Sequence, residues 1–237
     1  MQQKSQAPDP ADLAIGPSAI RTSHDGDEPN VEEMAVRNYM LYVLIPLWFV
    51  PGVLDWIWHR ETKIEETSGT HESLTHALMM TSLGIPMMTA LFFDINALVL
   101  TMMAGGFVTH EAVSYWDVRY SKGLREIPTH EQHTHSFLEV LPFMLTSFSI
   151  VLKWKQFVGI FGRGDEAPRW RLEPKKPALS PRYIAGVLAA AGTFVALPYG
   201  EEFVRCYRKD RTLLPHHAKG GSDVAPADAT GLSSRTS

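Results

Sequence analysis

The sequence predicts an all-α fold: a polytopic integral membrane bundle of four core helices plus a fifth, with a His/carboxylate cluster at one membrane face. Three observations carry this expectation. Five nearly uncharged stretches each come near the roughly 20 residues a helix needs to cross about 30 Å of hydrocarbon. They lack the polar face that a helix packed in water presents. Seven of the ten histidines fall between positions 59 and 135, close to the ends of those stretches.

A mean hydropathy of −0.09 and 45% hydrophobic residues over 237 positions resemble an ordinary soluble protein. That mean joins two populations. Residues 1–37 and 206–237 read as disordered tails and 161–182 as a Pro-rich polar linker, so the apolar content concentrates in a four-helix core, 38–160, and a fifth helix, 183–205. The first 33 residues hold no apolar run of the length a secretory signal needs. A net charge of −4 and a pI near 6.2 exclude a nucleic-acid partner, since phosphate binding needs a basic excess. The single cysteine, Cys206, excludes an internal disulfide and thiolate-rich zinc or iron–sulfur sites, leaving any metal to nitrogen and oxygen ligands.

The expected helices are Asn38–Trp58, Leu74–Phe93, Ile95–Trp116, Phe137–Leu152 and Tyr183–Val204. Pro46, Pro51, Pro86, Pro142 and Pro198 lie inside them and predict kinks of the kind membrane helices tolerate. Aromatic residues gather near the ends, among them Trp56, Trp58, Trp116, Trp154 and Tyr199, at the expected water boundary. Only Asp94, Ile95 and Asn96 separate the second and third helices, which predicts a tight antiparallel hairpin. Lysines and arginines divide equally between the two sides, so the positive-inside rule assigns no orientation.

Helical spacing pairs the histidines with carboxylates, because residues three, four or seven apart share a face. Asp55 and His59 are four apart, as are Glu72 and His76, and His135 and Glu139; His110 and Asp117 are seven apart. These pairs sit alternately at the C-terminal and N-terminal ends of four consecutive helices. Helices alternating in direction therefore bring all four pairs to one side. Ionisable groups cost a few kcal/mol within hydrocarbon and normally mark a function. The candidate metal ligands are His59, His71, His76, His110, His133 and His135, with Asp55, Glu72, Asp117 and Glu139 as further ligands or partners. Arg60, Arg119 and Arg125 share that side and read as interfacial residues, while Met79, Met80, Met87 and Met88 read as adaptable packing.

Imidazole and carboxylate without thiolate suit non-haem iron, manganese or zinc, and the ligand supply allows two ions. The box formed by His71 and His76, with that of His130, His133 and His135, resembles the histidine boxes of membrane-bound di-iron fatty-acid desaturases and hydroxylases. The resemblance covers roughly residues 55–139. The core here lacks the adjacent histidines usual in that superfamily's later boxes and has more carboxylates. It implies a pair of non-haem irons that uses dioxygen on an apolar C–H bond of a lipid-like substrate, with electrons from a donor protein. Three other classes stay open: a haem-binding membrane electron carrier, a zinc-dependent membrane hydrolase, and a non-enzymatic membrane protein.

Overall fold

The computed structural model describes residues 31–213. The expected disordered tails, with His24, His216 and His217, fall largely outside the described residues. Long helices dominate: α1 (Val31–Glu61), α2 (Gly69–Phe92), α3 (Ala97–Ser121), α4 (Thr129–Leu152), the short α5 (Trp154–Ile160) and α6 (Pro181–Arg211). Among the described residues the only β pairing is an isolated bridge between Phe93 and Pro174. All five long helices are long and apolar enough to cross a membrane.

Every helix extends beyond its apolar stretch. α2 starts at Gly69 instead of Leu74, and α4 at Thr129 instead of Phe137, because their first turns carry buried polar residues that hydropathy does not count. The chain is helical from Val31, inside the expected tail, and α6 runs on past Val204. That last extension is held by ion pairs of Arg205 with Glu65 and of Lys209 with Glu66, 3.6 Å. Asp210 also accepts a hydrogen bond from Thr70 N, 3.1 Å, at the start of α2.

The prolines act as expected of residues without an N–H. Two π turns, Met40–Leu44 and Gly192–Ala196, lie just before Pro46 and Pro198 and absorb the broken hydrogen-bond ladder. Pro86 frees the carbonyl of Ser82 within α2. Gly106 of α3 fits against that carbonyl: a Cβ at Gly106 would overlap Ser82 O and come within 2.9 Å of Pro86 Cγ. Small residues at a crossing of this kind let two backbones approach.

The α2–α3 hairpin turns where expected. Asn96 is buried and caps α3, its Oδ1 accepting from Leu98 N at 3.1 Å and Val99 N at 3.3 Å. Its Nδ2 donates to Arg171 O, 2.8 Å. The polar linker is thus packed against the hairpin, and Asp94 adds ion pairs to Lys153, 3.3 Å, and Arg169, 3.1 Å.

The five long helices pack in a ring of spatial order α1, α4, α3, α2, α6, with α6 closing back on α1. Polarity inside and outside is reversed relative to a water-soluble bundle. Leu47, Val50, Ile85, Val108, Val140 and Phe143 are exposed, while many carboxylates and imidazoles are buried. The interior divides along its length. One end is an apolar cluster of Met40, Leu44, Ile45, Leu91, Leu141, Leu145 and Val187; the other holds the ionisable groups.

Replacing Gly106 by alanine should cost about 1–3 kcal/mol by overpacking. Gly105→Ala, whose Cβ meets nothing within 4 Å, should be neutral or slightly stabilising. Thermal unfolding of the two purified variants checks this, and equal midpoints would remove the close crossing from the account.

Candidate metal centre

All five long helices deliver buried polar side chains to the same end of the ring. α1 contributes Asp55 and His59, α2 Glu72 and His76, α3 His110 and Asp117, α4 Glu131 and His135, and α6 Tyr199 and Glu202. His135 is the one of these that is only partly buried. The alternation of helix direction that the sequence implies is what brings them together.

Glu202 organises the centre. Its Oε2 accepts from His59 Nδ1 at 2.9 Å and its Oε1 from His76 Nδ1 at 2.8 Å. The two imidazoles stack, centroids 4.5 Å apart and planes within 4° of parallel. A carboxylate only accepts hydrogen bonds, so it keeps the hydrogen on both Nδ1 atoms and leaves both Nε2 lone pairs free. Facing those lone pairs are more carboxylates. His59 Nε2 is 3.6 Å from Asp55 Oδ1 and 3.6 Å from Glu131 Oε1, and His76 Nε2 is 3.5 Å from Asp117 Oδ2.

Nitrogen and oxygen atoms converge there. His135 Nε2 lies 2.8 Å from Asp55 Oδ1, and His59 Nε2, buried without a hydrogen-bond partner, is 3.6 Å from the same oxygen. Nitrogen and oxygen atoms 2.8–3.6 Å apart have the spacing of ligands around an ion bound at about 2.0–2.2 Å. Two groups have ligand atoms that all lie within 4.8 Å of one another: Asp55 with His59 and His135, and His59 with Glu72 and His76. The residues present therefore fit a metal held by nitrogen and oxygen.

Neighbouring side chains fix the carboxylates. Tyr199 OH sits 3.0 Å from Asp55 Oδ2 and 3.1 Å from Gly52 O. Thr75 donates to Asp117 and Ser68 to Glu72. Arg125, on the loop between α3 and α4, donates from Nε to Glu72 Oε2 at 3.3 Å and from Nη1 to Glu131 Oε2 at 3.0 Å. Burial opposes the charge of this guanidinium, but the hydrogen bonds to Glu131 and Glu72 outweigh it and hold its pKa above the ordinary arginine value.

Charge gives a count. Asp55, Glu72, Asp117, Glu131 and Glu202 are buried, and Arg125 pairs with two of them. With neutral imidazoles, five carboxylates against one guanidinium leave four negative charges, which two divalent cations would neutralise. Burying such charge uncompensated is prohibitive.

Of the residues expected from the sequence, Asp55, His59, Glu72, His76 and His135 fall in the two groups. His110, Asp117 and Glu139 line an adjoining cavity of about 20 Å³, enough for about one water-sized group. In it Glu139 accepts from Ser114 Oγ at 3.0 Å, and His110 Nδ1 has no hydrogen-bond partner. The structure does not bring in His71 or His133. Both are exposed, His71 on the ring of Tyr120 at 4.0 Å and His133 against Phe137 at 5.2 Å. Helix geometry explains this, because at about 100° per residue His71 points roughly 140° away from His76, and His133 roughly 160° away from His135. Glu202, Tyr199, Glu131 and the buried role of Arg125 are not anticipated. The signal for Glu202 is a carboxylate pair, Glu201-Glu202, at the end of an apolar stretch, and only Glu202 turns inward. No protein-family model, curated protein or solved structure matches the chain.

Arg125→Met should destabilise the protein by about 3–5 kcal/mol, since it leaves Glu72 and Glu131 buried without a cation. Lys122→Met, at an exposed position on the same loop, should have little effect. Denaturant unfolding of both variants measures the contrast, and matching midpoints would deny Arg125 its clasping role.

Proposed function

We propose that this chain is a multi-pass integral membrane metalloenzyme, a di-iron oxidoreductase of the hydroxylation or desaturation type acting on a lipid-like substrate. The reading rests first on the two Nε2 edges that Glu202 holds open toward Asp55, Glu131 and Asp117. Membrane insertion is supported by five long apolar helices whose outer faces expose large aliphatic side chains around a polar interior. Two ions, rather than one, are supported by the four negative charges that five carboxylates and Arg125 leave when the imidazoles are neutral ligands. The stacked rings, 4.5 Å apart, favour small ions over a planar macrocycle between the histidines.

Bound iron would supply dioxygen activation; hydroxylation consumes one dioxygen, two electrons from a donor protein and two protons, inserts one oxygen atom into a C–H bond and releases the other as water. The chain's own contribution is orientation, charge and dryness. Glu202 sets the tautomer of His59 and His76. Tyr199 holds Asp55, and Arg125 holds Glu72 and Glu131, so the carboxylates stay placed as charge changes at the centre. Met79, Met80 and Leu138 give the small cavity an apolar wall, while Glu139, bonded to Ser114, is the group placed to hold or pass a proton there.

Metal analysis with Mössbauer spectra on detergent-purified protein tests the proposal. About two irons per chain are expected, lost in the His76→Ala, His135→Ala double variant and kept in His71→Ala and His133→Ala. Zinc at one per chain, or metal content unchanged by the double variant, would overturn it.

A further inference from the structure

The apolar end of the ring is not solid. A cavity of about 200 Å³ runs inside it between α1, α2 and α4, with the linker segment 175–179 along its rim. Its wall is made of side chains such as Trp48, Leu83, Met87, Ala90 and Leu145. Its mouth is different in kind. Arg37, Lys153, Lys175 and Lys176 line it together with one carboxylate, Asp94. Asp94 is already engaged, by Lys153 at 3.3 Å and Arg169 at 3.1 Å. Lys175 lies half-buried among these cations: burial lowers its pKa, Lys153 and Arg37 lower it further, and only Asp94 opposes them. An apolar bore whose rim carries more cations than anions is the complement of an apolar chain that ends in a negative group.

The bore points along the bundle toward the metal centre. On α2, Leu91 near the rim is about 22 Å from His76 and Leu83 at the inner end about 10 Å, at 1.5 Å per residue. Met79 and Met80, one turn beyond Leu83, already line the small cavity beside Asp55, His76 and His135. On α4, Pro142 lines the bore and Leu138, one turn earlier, the small cavity. The two spaces are successive storeys of one ring interior.

We propose that this cavity takes the acyl chain of a single anionic lipid, tail first, from the end of the bundle away from the metal centre, with Arg37, Lys153, Lys175 and Lys176 holding the headgroup. The binding itself is independent of the metal; the proposed function enters in one consequence, that the methyl end of the chain and not its head faces the centre. The rim thereby sets a minimum chain length and directs chemistry to carbons far from the headgroup.

Trp48 in the wall provides the readout. Purified full-length protein in dodecyl maltoside is titrated with 9,10-dibromostearate, whose bromines quench nearby tryptophan, and with its uncharged methyl ester. Saturable quenching is expected with the acid, absent in Trp48→Phe and at least tenfold weaker in affinity for the ester. The Lys175→Gln, Lys176→Gln variant, with helical content and metal content checked as unchanged, should weaken the acid at least tenfold and leave the ester unaltered. Millimolar inorganic phosphate should not displace the acid, since the chain carries the affinity; displacement would reduce the site to an anion site and overturn the proposal. Equal affinity for acid and ester, or quenching that persists in Trp48→Phe, would also overturn it. The His76→Ala, His135→Ala variant should bind the acid like the wild type, so loss of metal there and loss of lipid binding at the rim report separately on the two proposals.

Discussion

One carboxylate holds two imidazoles that belong to different helices, and the rest of the interior is arranged around it. Glu202 comes from α6, His59 from α1 and His76 from α2, so a single side chain ties together three of the five helices in the ring. α1 and α2 lie on opposite sides of α6 in that ring, and at this end Glu202 and the stacked rings it aligns join them. Once both Nδ1 atoms donate to it, both Nε2 atoms must face the remaining carboxylates. The geometry of a candidate ligand set follows from one hydrogen-bonding preference.

That arrangement carries an electrostatic debt which only its surroundings resolve. Buried carboxylates interact strongly at low dielectric, and one guanidinium on the α3–α4 loop is too little to balance them. Arg125 takes Glu72 and Glu131, Tyr199 takes one oxygen of Asp55, and Thr75 one of Asp117, which leaves a concave set of lone pairs around His59. The charge and coordination of a divalent cation would fit such a set. The opposite end of the ring has the reverse composition, an apolar bore with a cationic rim, so the interior is graded along its length from acid-lined to hydrocarbon-lined to basic.

The helices were legible because hydropathy is a local quantity, and Asn96, Pro46 and Pro198 marked their local devices. Alternating helix direction then brought Asp55, His59, Glu72, His76 and His135 to one end, which spacing and topology alone anticipate. What spacing does not carry is the azimuth of a helix relative to the ring. His71 and His133 sit in the same boxes as His76 and His135 but on the outer face. Glu131 lies in the connection before the expected fourth helix and Glu202 is one of two adjacent carboxylates at the end of the fifth, and only the packed ring shows that these two side chains are enclosed. Arg125 is the clearest case, a loop residue whose role depends on two carboxylates 53 and 6 positions away.

One titration tests the charge count directly. Metal-free protein is titrated anaerobically with Fe(II) in weakly buffered detergent solution, following bound iron and released protons together. Saturation at two ions per chain is predicted, with release of the protons that neutralise the buried charge while metal is absent. Saturation at one ion, or uptake without proton release, would contradict it.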